Sequence, residues 1–576
     1  MTTSLLQEHL RFLYGPAVAA QVWPRLARLL ERYRGQIPPP PTTGLSQRDA
    51  LLITYGDQVQ APGQAPLRGL ADFCHRHLAG VVSGVHVLPF YPWTSDDGFS
   101  VVDYRAIDPA LGTWADVAAL RGPAGEFRLM FDAVVNHISA HSAWFQAFLH
   151  DDARYRDYFI VVPGTPDLSQ VVRPRALPLL TPVETATDSK AVWTTFSADQ
   201  IDLNYANPDV LLEMVDLLLF YAARGADFIR LDAIAFLWKT IGTPCLHQPQ
   251  THRVVQLWRT VLDQVAPHVR LITETNVPHV DNLAYFGDGT NEAQLVYNFA
   301  LPPLTLHTFR TGDARVLSAW AASLALPSDQ VTFFNFLASH DGIGLNPARG
   351  LLPAEAVQAL VDQVQAHGGL VSYKHNPDGT QSPYELNINY FDALSDPAGA
   401  EPLALQVDRF LAAQAIMLAL VGVPGLYFHS LFGSRGWPDG VRETGRNRTI
   451  NRQKLSRADL ERELDEPGSR RARVFGRCRQ LLQVRAATPA FHPHGRQEVV
   501  DCGAAVFALL RAAPAGGAAV LCLHNVSAAP VTARVPEALR QRVTADLLMD
   551  TARPAAGPEL QLAPYQVAWL ALEPAG

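Results

Sequence analysis

Arg230 and Asp232 are the first residues whose type and spacing can do chemistry; they sit in GADFIRLDAIAF, residues 225–236. The run has little polar surface, as suits a strand covered on both faces in a parallel sheet. Two positions apart on a strand, their side chains point to the same side. A charged pair at the end of a buried strand is costly without partners, so it is either a structural ion pair or part of a site. Three other apolar runs end in the same way. Asp132, Asn136 and His137 close EFRLMFDAVVNH, Glu274 closes VRLITET, and His340 with Asp341 closes QVTFFNFLASHD. Four such ends on one face make a pocket with three carboxylates. Without a cysteine–histidine metal pattern, that set suits glycoside chemistry better than metal-dependent hydrolysis. One carboxylate attacks the anomeric carbon, a second protonates the leaving oxygen, and a third steadies the oxocarbenium-like transition state.

Those ends need a frame that brings them together. Strand-like runs at 50–56, 84–89, 126–137, 225–233, 269–275, 295–299, 330–341 and 422–428 alternate with helical patterns. Eight such units predict a (β/α)8 TIM barrel, whose active sites gather where strands end. The barrel is expected over 46–137, 201–341 and 401–490. Two connections are too long to be simple loops, and they predict subdomains inserted at 138–200 and 342–400. Both follow C-terminal ends of strands. Val18, Val22, Leu26, Leu29, Leu30 and Tyr33 recur at helical spacing within a helical extension, 1–45, which the proline run 38–41 ends. From 491 to 576 the pattern turns to short strands and predicts an antiparallel β-sandwich.

With 576 residues, 48% hydrophobic and 18% charged, the chain has the composition of an ordinary globular protein. Its net charge of −8 argues against nucleic acid as a partner. Five cysteines without a C-x-x-C pair read as reduced thiols in a cytoplasmic protein. MTTSLLQEHLRFLYG lacks a basic lead and a long apolar run, so neither a signal peptide nor a membrane span is expected. No P-loop or G-x-G-x-x-G turn supports a nucleotide cofactor.

FDAVVNH, FIRLDA, LITETN and FLASHD, in that order and spacing, resemble the four motifs of the α-amylase superfamily. LITYGDQV, GVHVLPFYPWTSDDGFSVVDY, VVRPRALPL, SHDGIG and NRTINR are most similar to its sucrose phosphorylase branch. The resemblance covers nearly the whole chain. It implies Asp232 as nucleophile, Glu274 as general acid/base and Asp341 as transition-state stabiliser. It also implies that Asp96, His137, Arg230, His340 and Arg448 hold the transferred glucosyl unit. Arg230 is expected to lower the Asp232 pKa, and Glu274, with no adjacent cation in sequence, to keep a raised one.

The acceptor side departs from sucrose phosphorylases. Phe236 stands where they carry tyrosine, and Glu385 in SPYELN stands where they carry glutamine. GLVSYKHNPDGTQSPYELNINYFDAL and LDAIAFLWKTIGTPCLHQPQTH most resemble the glucosylglycerate phosphorylases of the branch. The implied reaction is reversible phosphorolysis of 2-O-(α-D-glucosyl)-D-glycerate to α-D-glucose 1-phosphate and D-glycerate by double displacement. Arg175 is the expected cation for glycerate or phosphate, with Lys374, His375 and Arg349 as further candidates; Arg173 is the alternative brace of that loop. Glu385 is expected to accept from acceptor hydroxyls. No metal or organic cofactor is implied, and no aspartate cluster suggests the calcium common in amylases. A homodimer is the expected assembly. Sucrose, sucrose 6′-phosphate or glucosylglycerol as substrate, a hydrolase or transglucosidase, and a non-catalytic sugar-binding member remain the alternatives at this point.

Overall fold

In a computed structural model, the protein is described except at residues 1, 38–43, 176, 377–379, 550, 553–558 and 574–576. The proline run 38–41 therefore lies outside the described residues. Eight parallel strands close a barrel: β1 (Leu51–Thr54), β2 (Gly84–Val87), β3 (Arg128–Val134), β4 (Ala226–Asp232), β5 (Arg270–Thr273), β6 (Leu295–Tyr297), β7 (Thr332–Asn335) and β8 (Val423–Tyr427). Each of the eight expected runs contains one of them. Sequential strands are neighbours, and β8 returns to β1. All seven residues of β4 are buried, including Arg230 and Asp232, because helices cover the outside and side chains fill the inside.

The long connections fold as small units of their own. After β3 the chain forms a two-stranded ladder, His137–Ser139 with Gln200–Asp202, and a hairpin, Leu180–Glu184 with Ser189–Trp193. After β7, Ile343–Gly344, Gln381–Asn387 and Leu370–His375 form a three-stranded antiparallel sheet beside the helix Ala354–Ala366. Beyond the barrel, a six-stranded antiparallel sheet is built on Arg496–Val499, Val506–Ala512, Ala519–Asn525 and Val567–Leu572. A two-stranded ladder, Val531–Ala533 with Leu560–Leu562, accompanies it.

The N-terminal helix α1 (Thr2–Tyr33) lies along α2 (Pro208–Ala223) and α3 (Pro249–Val265). It turns at Gly15, whose φ of 76° only glycine adopts freely, just before Pro16. Val22, Leu26, Leu30 and Tyr33 are buried as their spacing predicts, whereas Val18 is exposed. Leu6, Leu10 and Leu13 extend the same apolar face toward the N-terminus. Arg25 pairs with Asp209 at 2.5 Å, and Tyr14 donates to the Tyr205 carbonyl at 3.0 Å. All five cysteines are buried and free. No helix among the described residues is long and apolar enough to cross a membrane.

Candidate active site

Strand register assembles the first part of the site. Asp132 on β3 lies opposite Arg230 on β4, and Val134 opposite Asp232. His86 on β2 lies opposite Met130, two positions before Asp132. With side chains alternating along each strand, His86, Asp132, Arg230 and Asp232 share the barrel's inner face. Arg230 is 2% exposed and forms ion pairs with Asp132 and, at 2.8 Å, with Asp232 Oδ1. Asp132 holds His86 Nε2 at 2.6 Å with its other oxygen. The Arg230 guanidinium also faces the rings of Phe99 and Tyr297 at 5.5 and 5.6 Å.

Ala233, directly after β4, is in the left-handed region with φ 52°. That turn costs an alanine some backbone strain. It directs the Ala233 N–H to Glu274 Oε2 at 3.2 Å, while Arg230 Nη2 lies 3.9 Å from the same oxygen. Burial raises the pKa of Asp232 well above the usual carboxylate range; Arg230 pulls it down, but Glu274, Asp132 and Asp341 push it further up. Arg230 lowers it, as expected, but the net shift is upward because desolvation and three neighbouring anions outweigh one cation. Burial also raises Glu274. Arg230 touches Asp232 and only approaches Glu274, so its charge favours the ionised form of Asp232 more than that of Glu274.

Asp341 behaves oppositely. Burial would raise it, but Arg448, His340, Arg452 and Arg230 together hold it below the ordinary range. Arg448 Nη1 lies 2.6 Å and Arg452 Nη2 3.5 Å from its Oδ1. His340 is stacked on Phe99, with centroids 4.8 Å apart and planes 6° from parallel. Burial lowers the His340 pKa to about 3 and the His137 pKa to about 4, so both rings are neutral at pH 7. His137 donates from Nε2 to the Phe99 carbonyl at 2.9 Å.

A cavity of about 320 Å³ joins these groups. It brings together Asp232, Glu274 and Asp341 with Asp96, His137, His340, Arg448, Arg175, Glu385 and Phe236. Arg230 stands behind Asp232, outside the lining. Two acceptor-side residues already have partners within the protein. Arg175 is not a free cation: its Nη2 pairs with Asp96 Oδ2 at 2.7 Å, and its guanidinium faces Phe196 at 5.6 Å. Glu385 has both oxygens engaged by one guanidinium. It is 2% exposed, and Arg448 donates to both of them, from Nε at 3.0 Å and Nη2 at 2.9 Å. A buried carboxylate needs such a partner, and the bidentate guanidinium is the nearest one. Phe236 packs edge-on against Phe196, and Arg173 donates to the Leu177 carbonyl. Lys374 and Arg349 line the cavity, while the side chain of His375 lies outside the described residues.

Sequence reasoning missed three contributors. His86 is signalled only as a histidine in the apolar strand GVHV. Arg452 in NRTINR donates to the His340 carbonyl at 2.7 Å as well as meeting Asp341. Lys239, seven residues past Asp232, lies 2.6 Å from buried Asp202 and donates to Asn136 at 3.0 Å and to the Phe236 carbonyl. Among the described residues no group of three histidine, cysteine or acidic side chains is placed to hold a metal ion.

The family model described as "Alpha amylase, catalytic domain" matches residues 79–342. A glucosylglycerate phosphorylase of Allomeiothermus silvanus is 52% identical over 98% of this chain and 97% of its own length. The glucosylglycerate phosphorylase of Escherichia coli K12 is 44% identical over 98% and 99%. A sucrose phosphorylase of Agrobacterium vitis is 30% identical over 79% and 91%. Among solved structures, sucrose 6F-phosphate phosphorylase from Thermoanaerobacter thermosaccharolyticum superposes with a TM-score of 0.71 at 25% identity, covering 83% of this chain and 94% of that one. Fold, motifs and full-length similarity agree: the chain belongs to the α-amylase superfamily and, within its sucrose phosphorylase branch, groups with the glucosylglycerate phosphorylases.

Proposed function

We propose that the protein is a retaining glycoside phosphorylase that interconverts 2-O-(α-D-glucosyl)-D-glycerate plus phosphate with α-D-glucose 1-phosphate plus D-glycerate. The observation that carries this reading is the carboxyl pair Asp232–Glu274, held in one buried cavity by Arg230.

Asp232, in contact with Arg230, attacks the anomeric carbon from the face opposite the glycerate oxygen. Glu274 gives its proton to that oxygen as the bond breaks. A β-glucosyl ester on Asp232 results, and Glu274 is left as carboxylate. Phosphate then attacks the same carbon, the ester bond breaks, and Glu274 takes back a proton from the phosphate. Two inversions return the α configuration. Asp341, held ionised by the arginines beside it, faces the positive charge that develops on the sugar ring. Asp96, His137, His340 and Arg448 form the glucosyl pocket. Glu385 serves indirectly by fixing Arg448. Arg175, within reach of the cavity and anchored on Asp96, supplies positive charge to the entering phosphate.

Competition among acceptors tests the reading. With α-glucose 1-phosphate as donor and equal concentrations of D-glycerate, glycerol, fructose and fructose 6-phosphate, the glucosyl unit is expected mainly on glycerate. Fructose or fructose 6-phosphate ahead of glycerate would reassign the enzyme to a sister activity of the branch.

A further inference from the structure

The cavity holds two cations that the catalytic carboxylates do not engage. Lys374 lies on the strand Leu370–His375 and Arg349 follows the short turn Asn346–Ala348, so both come from the segment inserted after β7. Each lines the same cavity as Asp232 and Glu274. Among the described residues neither has an acidic group within ion-pair distance. That sets them apart from Arg175, paired with Asp96, and Arg448, paired with Asp341 and Glu385; Arg173, also without an acidic partner, is tied to the Leu177 carbonyl. Along the strand, Tyr373 is 43% exposed while its neighbour Lys374 turns into the cavity, as alternation requires.

We propose that Lys374 and Arg349 together form the seat for the carboxylate of a small hydroxy-acid acceptor, and so set the preference for that acceptor over neutral polyols. Two like charges facing one space repel each other until an anion enters between them, and the anion gains from both. Burial and the charge of Arg349 already lower the Lys374 ammonium to about 8, as expected for a cation short of counter-charge. Glycerate, unlike glycerol, brings that counter-charge, on the carbon next to the hydroxyl that is glucosylated.

The inference rests on the proposed phosphorylase reading, and its test separates the two. Transfer from α-glucose 1-phosphate to D-glycerate and to glycerol is measured for the wild type, Lys374→Gln, Arg349→Gln and Lys374→Arg, together with the KM for inorganic phosphate in the reverse direction. Each Gln variant is expected to lower the ratio of kcat/KM for glycerate over glycerol at least about tenfold, the size of one lost charged hydrogen bond. Lys374→Arg is expected to restore most of it. Equal losses for glycerate and glycerol would overturn the seat, and so would a larger rise in the phosphate KM than in the glycerate KM. If wild-type enzyme favours fructose over glycerate, the functional reading falls and the seat falls with it; a failure confined to the variants overturns the seat alone.

Discussion

At the scale of single residues, Arg230 distinguishes the two carboxyls, touching Asp232 and only approaching Glu274. It touches Asp232, so removing the Asp232 charge removes the attacking atom without creating a cavity. Asp232→Asn is expected to lower glucosyl transfer by several orders of magnitude while leaving the fold's circular dichroism and thermal midpoint near wild type. Retained turnover would move the nucleophile elsewhere. Glu274→Gln should act differently, because its proton matters only when the leaving group is poor. Transfer from glucosylglycerate should fall far more than ester formation from α-glucose 1-phosphate, whose leaving group is already good. The raised pKa of Glu274 also gives a sign for the pH profile. Glucosylglycerate cleavage requires the protonated form, so its rate falls as pH rises through that raised value. The same limb should be much weaker with glucose 1-phosphate as donor.

At the scale of elements, the segment after β4 ties the reactive strand to the first insert. Lys239 bridges Asp202, Asn136 and the Phe236 carbonyl, and its side chain is 4% exposed. Lys239→Met would leave the wholly buried Asp202 carboxylate without its cation, a change that typically costs about 3–5 kcal/mol. The expected result is a lower denaturation midpoint together with a raised acceptor KM, because Phe236 lines the cavity. An unchanged midpoint would show that Asp202 is satisfied by Asn136 and Thr195 alone. Legibility also divides at this scale. The eight strands could be read because each is a short apolar run with turn signals, and their polar ends marked one face. Contacts between loops could not be read. Arg175 with Asp96 and Glu385 with Arg448 are separated by 79 and 63 positions, and no local pattern encodes such pairings. The carboxylates that raise Asp232 could be placed on its face of the barrel, but not their closeness, which decides the balance against Arg230.

At the scale of the molecule, barrel and C-terminal sheet are joined through buried arginines. Arg485 donates to the carbonyls of Leu418, Gly422, Asp49 and Phe491, and Arg511 to those of Ala419 and His492. These carbonyls gather near the ends of β1 and β8 remote from the cavity. Each charged hydrogen bond contributes about 1.5–3 kcal/mol. Arg485→Met is therefore expected to lower the thermal midpoint clearly while KM values for glucose 1-phosphate and glycerate stay within about twofold. A change in KM at an unchanged midpoint would contradict this division between scaffold and site.

The central claim is phosphorolysis with retention, and one spectrum addresses both halves of it. Glucosylglycerate is incubated with enzyme and inorganic phosphate, and the products are followed by proton and phosphorus NMR. The account predicts α-glucose 1-phosphate and D-glycerate appearing in equal amounts, with free glucose a minor product. Free glucose as the main product, or the β anomer of the phosphate, would contradict it.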